Sequence, residues 1–294
     1  MTAASMWTWM TPALFTLVLY GIGQGLVKKY ISEVPPARFC LYFVVAKAFV
    51  NLWYFATTAH PDPFAAGGRD FLMVGTGAYI LDGIGWILYF QSIVAGPIAI
   101  VGTLSAAYPA LTVLFAKFFL GEQLSWIQYL GVFLVIAGCL GLSYTPPEKA
   151  TKKTKASWVP MAFGALLIWG ASQTLVKYSY KMPEANDANL ALFNTIGGFL
   201  TLGLFGLIRG LPGKHTMHGW AISFFPMAMM AAGDLGVILA LRTGPASIVT
   251  PLTGAYPLVT LGFAYVALKE KVSKLQWVSV ILILAGIVMS PGAS

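Results

Sequence analysis

Ten long apolar runs follow one another along this chain of 294 residues and limit what it can fold into. Each run is long enough to cross a bilayer as a helix, which takes about 20 residues. A backbone in lipid must satisfy its own hydrogen bonds, and the runs lack the alternation of barrel strands. We therefore predict an all-α membrane protein with ten transmembrane helices. The runs cover residues 10–29, 37–58, 71–93, 97–120, 126–144, 158–179, 188–208, 219–241, 245–268 and 274–290.

The composition excludes a water-soluble fold and argues against a nucleic-acid partner. The chain is 58% hydrophobic and 10% charged, with a mean hydropathy of +0.77. Soluble domains average about 25% charged residues, so these charges are too few to coat a surface in water. The net charge of +8 comes from basic residues at the ends of the runs. Such residues flank membrane segments, so we expect a lipid bilayer as the partner and no nucleic acid.

The two halves of the sequence are copies of each other. Residues 96–138 align without gaps on residues 244–286, at an offset of 148, with 19 identities in 43 positions. Shared hydrophobicity alone does not bring prolines and polar residues into register, so we predict an internal duplication. The first helix of each half carries the same signature at an offset of 149: Gly21, Gln24 and Lys28 recur as Gly170, Gln173 and Lys177.

The number of runs in each copy determines how the copies are oriented. Residues 1–144 hold five runs, residues 158–294 hold five, and a basic linker at 145–157 joins them. A copy with an odd number of spans must insert upside down relative to its partner. The prediction is two inverted five-helix repeats (5+5) with a pseudo-two-fold axis in the membrane plane. Such repeats are frequent in secondary transporters, whose substrate site lies between the halves near the midplane.

Local signals refine this architecture. Pro109 and Pro257 fall inside their runs, where a proline frees a carbonyl group and favours a kink. Ser-x-x-Gln at 125–128 and at 273–276 has the spacing of a capping box just before an apolar run. Gly-x-x-x-Gly at 21–25 predicts a close-packing helix face.

These repeated motifs resemble a known group of proteins. Gly-Pro, then Ala-Tyr-Pro, then Glu122 or Glu270 and an apolar helix ending in Ala-Gly are similar to the drug/metabolite transporter superfamily, specifically its ten-helix EamA-type transporters. The second half has Lys269 where the first has Gly121. The resemblance covers nearly the whole chain. It implies a 5+5 inverted fold, a central cavity and alternating-access transport of small polar metabolites, often export.

Three ionisable residues lie inside the runs, where a charge costs at least about 2.5–3.5 kcal/mol on insertion scales. They are Asp82, Asp234 and Lys47. We expect them to line the cavity as substrate counter-ions or as a proton-coupling carboxylate; the alternative is a fixed acid–lysine pair that satisfies only itself. Trp86, one turn after Asp82, and Trp169 are candidate rings for an organic cation, although packing is the more common role of such aromatics.

The repeated polar residues of the first helices are further candidates. Lys28 and Lys177 lie near helix ends, on opposite membrane faces of an inverted pair. They are either interfacial lysines or paired gates. Gln24 and Gln173 lie one turn deeper and are predicted to face the cavity with the acidic residues.

The predicted function is secondary active transport of a small polar metabolite. The substrate classes are an amino acid or its derivative, or an organic cation, moved by an exporter or exchanger driven by protons or a counter-substrate. One alternative is an intramembrane aspartyl protease using Asp82 and Asp234, although position 231 is Ala where that class has Gly. A channel is the other. No nucleotide-binding loop or hydrolase motif occurs. His215 and His218 lack a third ligand nearby, so we expect no enzyme, no metal and no cofactor.

Two signals disagree about orientation. Counting basic residues gives 12 on the linker side and 5 on the side of the chain termini. The positive-inside rule then predicts termini outside the cell, whereas the resemblance implies cytoplasmic termini. Either way, we expect a multi-pass protein of the bacterial inner membrane.

Overall fold

The computed structural model describes residues 3–30, 34, 36–95, 101, 104, 107–143, 158–210, 216–269 and 271–289. These residues are helical except for turns, loops and caps. The linker at 145–157, Glu270 and the Gly-Pro pair at 96–97 lie outside them. The helices are α1 (Ala3–Tyr30), α2 (Pro36–Thr57), α3 (Arg69–Ala95), α4 (Tyr108–Phe115), α5 (Trp126–Ser143), α6 (Trp158–Ser179), α7 (Asp187–Gly198), α8 (Leu204–Arg209), α9 (Met217–Thr243), α10 (Ala246–Gly254), α11 (Pro257–Ala267) and α12 (Lys274–Met289).

Most of these helices are built to cross a membrane. Within the described residues, eight helical stretches are long and apolar enough to span a bilayer, and Tyr108–Leu120 and Lys274–Met289 are shorter apolar helices. Large apolar side chains face outward, among them Phe119 at 72% and Ile208 at 71% exposure. An outward apolar surface is stable only in lipid. The prediction of an all-α membrane protein with two five-helix repeats is confirmed.

Among the described residues, three of the predicted runs are not continuous α-helices. In the run at 97–120, helix α4 is followed by a π-helical turn, Ala116–Leu120. The run at 188–208 forms α7 and α8 with a π-helical turn, Phe199–Gly203, between them. The run at 245–268 is broken between Gly254, where α10 ends, and Pro257, where α11 begins. Proline lacks an N–H group and fits the first turn of a helix, so the predicted kink is here a helix break.

Both predicted capping boxes are confirmed. The Ser125 N–H donates to Gln128 Oε1 at 2.9 Å, and the Gln128 N–H donates to Ser125 Oγ at 3.4 Å. The second copy repeats this exchange between Ser273 and Gln276, at 2.8 and 3.3 Å. These bonds satisfy N–H groups that the first turns of α5 and α12 would otherwise leave unpaired.

The packing of the helices follows the duplication. Helix α1 packs on α9, and α6, its copy, packs on α3, the copy of α9. In the same way α2 packs on α9 while α7 packs on α3, and α1 packs on α11 while α6 packs on α4. Pairs α2–α7 and α5–α12 join each helix to its own copy. Exchanging the halves leaves this pattern unchanged, as a pseudo-two-fold axis requires.

Glycines at equivalent positions allow the closest helix approaches. A Cβ atom added to Gly21 would overlap the Cβ of Val259, and one added to Gly170 would lie 2.7 Å from the Cβ of Leu111. Val259 and Leu111 are themselves related by the offset of 148. Gly25 meets the ring of Phe263 on the same helix as Val259. The Gly-x-x-x-Gly face of α1 therefore packs on α11, as small residues do at membrane helix contacts.

Substituting these glycines tests the close approach. We expect Gly21→Ala and Gly170→Ala each to lower the free energy of unfolding by about 1–3 kcal/mol, because the added methyl group overpacks the contact. Thermal unfolding of the purified protein in detergent measures the change. Gly77→Ala and Gly262→Ala are matched controls, since a Cβ there meets nothing within 4 Å. If Gly21→Ala were as stable as Gly262→Ala, the packing described here would be wrong.

Candidate functional site

A buried lysine lies at the centre of the helix bundle. Lys47 on α2 is 1% exposed, and its Nζ lies 2.9 Å from Asp234 Oδ2 on α9 and 3.5 Å from Asp82 Oδ2 on α3. It also donates to Asn194 Oδ1 on α7 at 3.1 Å. An unpaired ammonium group would cost several kcal/mol in this environment. The two carboxylates and the amide therefore hold four helices around one cation.

The two carboxylates are not held equally. Asp234 accepts a hydrogen bond from the Tyr20 hydroxyl on α1 in addition to its short contact with Lys47. The contact between Asp82 and Lys47 is 0.6 Å longer, from 3.5 against 2.9 Å. The backbone carbonyl of Asp82 accepts a bond from Trp169 Nε1 at 3.3 Å. Asp82 therefore has more freedom at its carboxylate than Asp234.

A central cavity opens in front of these carboxylates. Its space is about 520 Å³, including the part continuous with solvent. Lys47 is absent from its wall and lies behind the acids, with 2% of its side chain exposed against 13% for Asp82 and 17% for Asp234. The structure therefore places Lys47 behind the cavity wall and not in it, because two acids and an amide enclose its ammonium group. The lining residues are Tyr20, Gln24, Asp82, Trp86, Tyr108, Trp169, Gln173, Met230, Asp234 and Tyr256.

Every lining residue has a partner in the other copy that also lines the cavity. Helices α3 and α9 are 27 residues each and begin at Arg69 and Met217, an offset of 148. The pseudo-two-fold axis therefore passes through the cavity. The pairs are Tyr20 with Trp169, Gln24 with Gln173, Asp82 with Met230, Trp86 with Asp234, and Tyr108 with Tyr256.

Aromatic rings form one wall of the cavity. Trp86 and Trp169 meet edge-to-face with centroids 5.2 Å apart, and Tyr108 lies 5.9 Å from Trp169. Tyr89 and Phe90 support Trp86 from behind, at 6.0 and 5.7 Å. Of Trp86, Tyr89 and Phe90, Trp86 is the ring that lines the described part of the cavity, next to Asp82.

Gln24 and Gln173 both lie in the cavity wall. The Oε1 atom of Gln173 is buried and makes no hydrogen bond within the described part of the chain. A buried amide oxygen without a partner costs free energy, so it is available as an acceptor for a bound molecule.

A second group of polar contacts ties the helix ends together on the membrane side of the N-terminus. Lys177 Nζ at the end of α6 donates to the Leu241 carbonyl at 2.8 Å, near the end of α9. Arg242 pairs with Asp187 at 2.7 Å, which links α9 to the start of α7. The Tyr180 hydroxyl donates to Asp187 at 3.1 Å. Burial, and next the charge of Asp187, raises the pKa of Tyr180 well above its usual value.

Glu122 makes a further link between helix ends on the same side of the bundle. Its carboxylate accepts bonds from the backbone N–H groups of Ala246 and Ser247, at 2.8 and 2.9 Å, and from the Ser247 hydroxyl. These N–H groups open helix α10, where a negative charge is favoured. Glu122 thus joins the end of the fourth span to the start of the ninth. Two equivalents in the other copy lie outside the described part of the chain. They are Glu270, which matches Glu122, and the side chain of Lys28, the proposed partner gate of Lys177.

Several site residues were not selected by sequence reasoning alone. Tyr20, Tyr108 and Tyr256 line the cavity, and Asn194 binds Lys47. The repeat register held a usable signal, since Tyr108 and Tyr256 belong to the repeated Ala-Tyr-Pro and Tyr20 matches Trp169 at the offset of 149. Asn194 has no such signal.

Comparison with known proteins agrees with the fold and the duplication. A family model for the EamA-like transporter family matches residues 7–144 and 156–290. The chain belongs to the EamA-like transporter family. An uncharacterized transporter in the cobO 3' region of a Sinorhizobium species is 31% identical over 88 residues, which is 30% of this EamA protein and 62% of that relative, less than two thirds of its length. A crystal structure described only as that of a protein has a TM-score of 0.76 and 18% identity, covering 95% and 94% of the two chains.

Removing the buried cation should destabilise the protein strongly. We expect Lys47→Met to lower the free energy of unfolding by about 3–5 kcal/mol, because two largely buried carboxylates lose their counter-ion. Thermal unfolding in detergent measures it. Lys117→Met is the matched control, since Lys117 is exposed. The double variant Lys47→Met with Asp234→Asn should recover much of the lost stability. If Lys47→Met were as stable as Lys117→Met, the charge pairing would be contradicted.

Proposed function

We propose that this EamA-family protein is a secondary active carrier that moves a small polar metabolite by alternating access, as an exporter or exchanger. The observation that carries the proposal is the position of the cavity: five pseudo-symmetric pairs of residues from both repeats surround it. A site on the axis between inverted repeats is exposed to one membrane side or the other when the repeats rock. The broken span formed by α10 and α11 contributes Tyr256 to the wall.

The wall supports a small substrate with at least one polar or charged group. Two aspartates, two glutamines and three tyrosines line the cavity, so its wall offers both donors and acceptors to a small ligand. Amino acids or their derivatives and organic cations are the substrate classes of this proposal. We place the protein in the bacterial inner membrane.

The arrangement of the acids favours a carrier over an intramembrane aspartyl protease. A catalytic aspartate dyad shares a proton between its two carboxyl groups. Here the ammonium group of Lys47 lies within 3.5 Å of an oxygen of each acid. The ammonium group therefore takes the place between the carboxylates that the shared proton of such a dyad would occupy. Proteolysis also gives no reason for an inverted duplication.

Asp82 and Asp234 are the groups proposed to couple transport to protons or to a counter-substrate. The titratable groups near them are Tyr20 on α1, Lys47 on α2, Tyr79 on α3 and Tyr108 on α4. With Lys47 charged and both acids ionised, this cluster carries one net negative charge. A proton or a substrate cation would neutralise it, so each would displace the other.

Counterflow in liposomes tests the carrier and its coupling together. A ligand chosen by thermal stabilisation of the purified protein should show saturable counterflow, whereas linear flux without counterflow would indicate a channel. We expect Asp82→Asn to lose the dependence of transport on external pH, since its amide does not titrate. Asp70→Asn, on an exposed residue of the same helix, should keep it. Unchanged pH dependence in Asp82→Asn would exclude coupling through this acid.

The polar contacts on the N-terminal side are proposed to close the cavity there. A Gln173→Cys reporter in the wall, in a protein freed of Cys40 and Cys139, measures access by an impermeant thiol reagent. We expect Arg242→Ala to raise labelling from the N-terminal side about threefold to tenfold, because the ion pair with Asp187 stabilises only the closed arrangement.

Arg69→Ala is the matched control for this variant, because Arg69 is an exposed arginine at a helix end on the same membrane side. It should leave the labelling rate of the reporter thiol unchanged. Equal rates in the Arg242 and Arg69 variants would show that the Arg242–Asp187 pair does not hold the cavity closed.

A further inference from the structure

We infer that the substrate of the proposed carrier is a monovalent organic amine, bound as its cation at Asp82 with its apolar body against Trp86, Trp169 and Tyr108. The inference rests on the proposed function, since it names the substrate class of the same cavity. Of the two proposed substrate classes, amino acids and organic cations, the charge of the cavity wall favours organic cations.

The cavity wall presents acids and no base. Among the ten lining residues in the described part of the chain, Asp82 and Asp234 are the charged ones. Lys47 neutralises one of these charges from behind, with 2% of its side chain exposed, and its donors already face Asp234, Asp82 and Asn194. The remaining net charge is −1, so a ligand with one positive charge makes the occupied cavity neutral.

Asp82 is the acid with capacity for a ligand. Asp234 is occupied on one oxygen by the Tyr20 hydroxyl and on the other by Lys47 at 2.9 Å. Among the described residues, the contact given for the Asp82 carboxylate is the longer one of 3.5 Å with Lys47. An ammonium group entering the cavity therefore gains most at Asp82, where it replaces a weak contact and breaks no strong one.

The rings next to Asp82 suit a cation that carries an apolar body. Trp86 follows Asp82 by one helical turn, and Trp169 is held beside it by the hydrogen bond to the Asp82 carbonyl. Tyr108 completes this wall 5.9 Å from Trp169. Aromatic faces attract cations, and the attraction increases where water is excluded. The same rings bury the apolar part of the ligand.

The same wall disfavours an α-amino acid. Its carboxylate would approach two acids and find no exposed base among the lining residues. Backbone N–H groups at the helix breaks are also used, since Tyr256 N–H donates to the Thr253 carbonyl and Leu258 N–H to the Ala255 carbonyl. Ala110 N–H donates to the Ala107 carbonyl in the other copy. A carboxylate would therefore find only neutral donors, such as the amides of Gln24 and Gln173, and no positive charge to offset its repulsion from the two acids. An amine without a carboxylate avoids that repulsion.

Matched ligand pairs test the substrate class by binding to the purified protein, read as thermal stabilisation over a concentration series. The pairs are phenethylamine with phenylalanine, and isoamylamine with leucine, with 3-phenylpropionate as the anion. We expect at least one amine to bind about tenfold or more tightly than its amino acid, and the anion not to bind. Amino acids binding as well as the amines, or no amine binding at all, would overturn the inference.

Two variants assign the binding to the proposed residues. Asp82→Asn should weaken amine binding about tenfold or more, so that transport at saturating ligand is still measurable, whereas Asp70→Asn should retain the wild-type affinity. Trp86→Leu keeps every charge and should weaken amine binding about tenfold, so a folding defect in Asp82→Asn leaves the ring contact testable. Wild-type affinity in Trp86→Leu would contradict the ring contact.

Failure of this inference is distinguishable from failure of the carrier itself. Saturable counterflow of an amino acid without amine binding would keep the carrier and overturn the substrate class. Amine binding without counterflow would keep the substrate class and overturn the carrier.

Discussion

The buried ammonium group of Lys47 is the interaction on which the rest of this structure depends. It belongs to the first repeat, as does Asp82, whereas Asp234 and Asn194 belong to the second. A charge cannot be left unpaired between apolar helices without a cost of several kcal/mol. The two repeats therefore cannot move apart at this point unless Lys47 exchanges its closer contact with Asp234 for one with Asp82, within its own repeat. The same ion pairs that stabilise the bundle also determine which relative movements of the repeats cost little free energy. A ligand cation at Asp82 would compete directly with Lys47 for that carboxylate.

Inverted duplication explains the shape of the site, and departures from it explain the chemistry. The axis places equivalent residues on opposite walls, so Gln24 faces the cavity with Gln173 and Tyr108 with Tyr256. The charges break this equivalence, because Asp82 is matched by Met230 and Asp234 by Trp86. A strictly symmetric wall would bind a ligand equally in two inverted poses. The asymmetric wall instead offers one acid with rings beside it and one acid already bound by Tyr20, so it defines a single pose.

Local and periodic signals made much of this predictable from sequence. Long apolar runs predict the spans, and repeated Ser-x-x-Gln predicts the caps, because both depend on residues close in the chain. The cost of charge in lipid singled out Lys47, Asp82 and Asp234, and the structure brings all three together. Sequence could not show that Lys47 lies behind the acids, because this depends on three helices packing around it. Nor could it show Asn194 or the Arg242–Asp187 pair, since these contacts join residues 147 and 55 positions apart and carry no repeated motif.

The contacts on the N-terminal side also depart from the symmetry, and this bears on the resting state of the proposed cycle. Helix α7 begins with Asp187, whereas its copy α2 begins with Pro36; Arg242 is the penultimate residue of α9, whereas the penultimate residue of α3 is Val94. The sequence therefore provides this ion pair at one end of the bundle and an apolar counterpart at the other. An interaction present in one of two states shifts their ratio by its own free energy, and about 1 kcal/mol is roughly fivefold. In the proposed carrier, this pair would therefore favour closure on the N-terminal side by that amount.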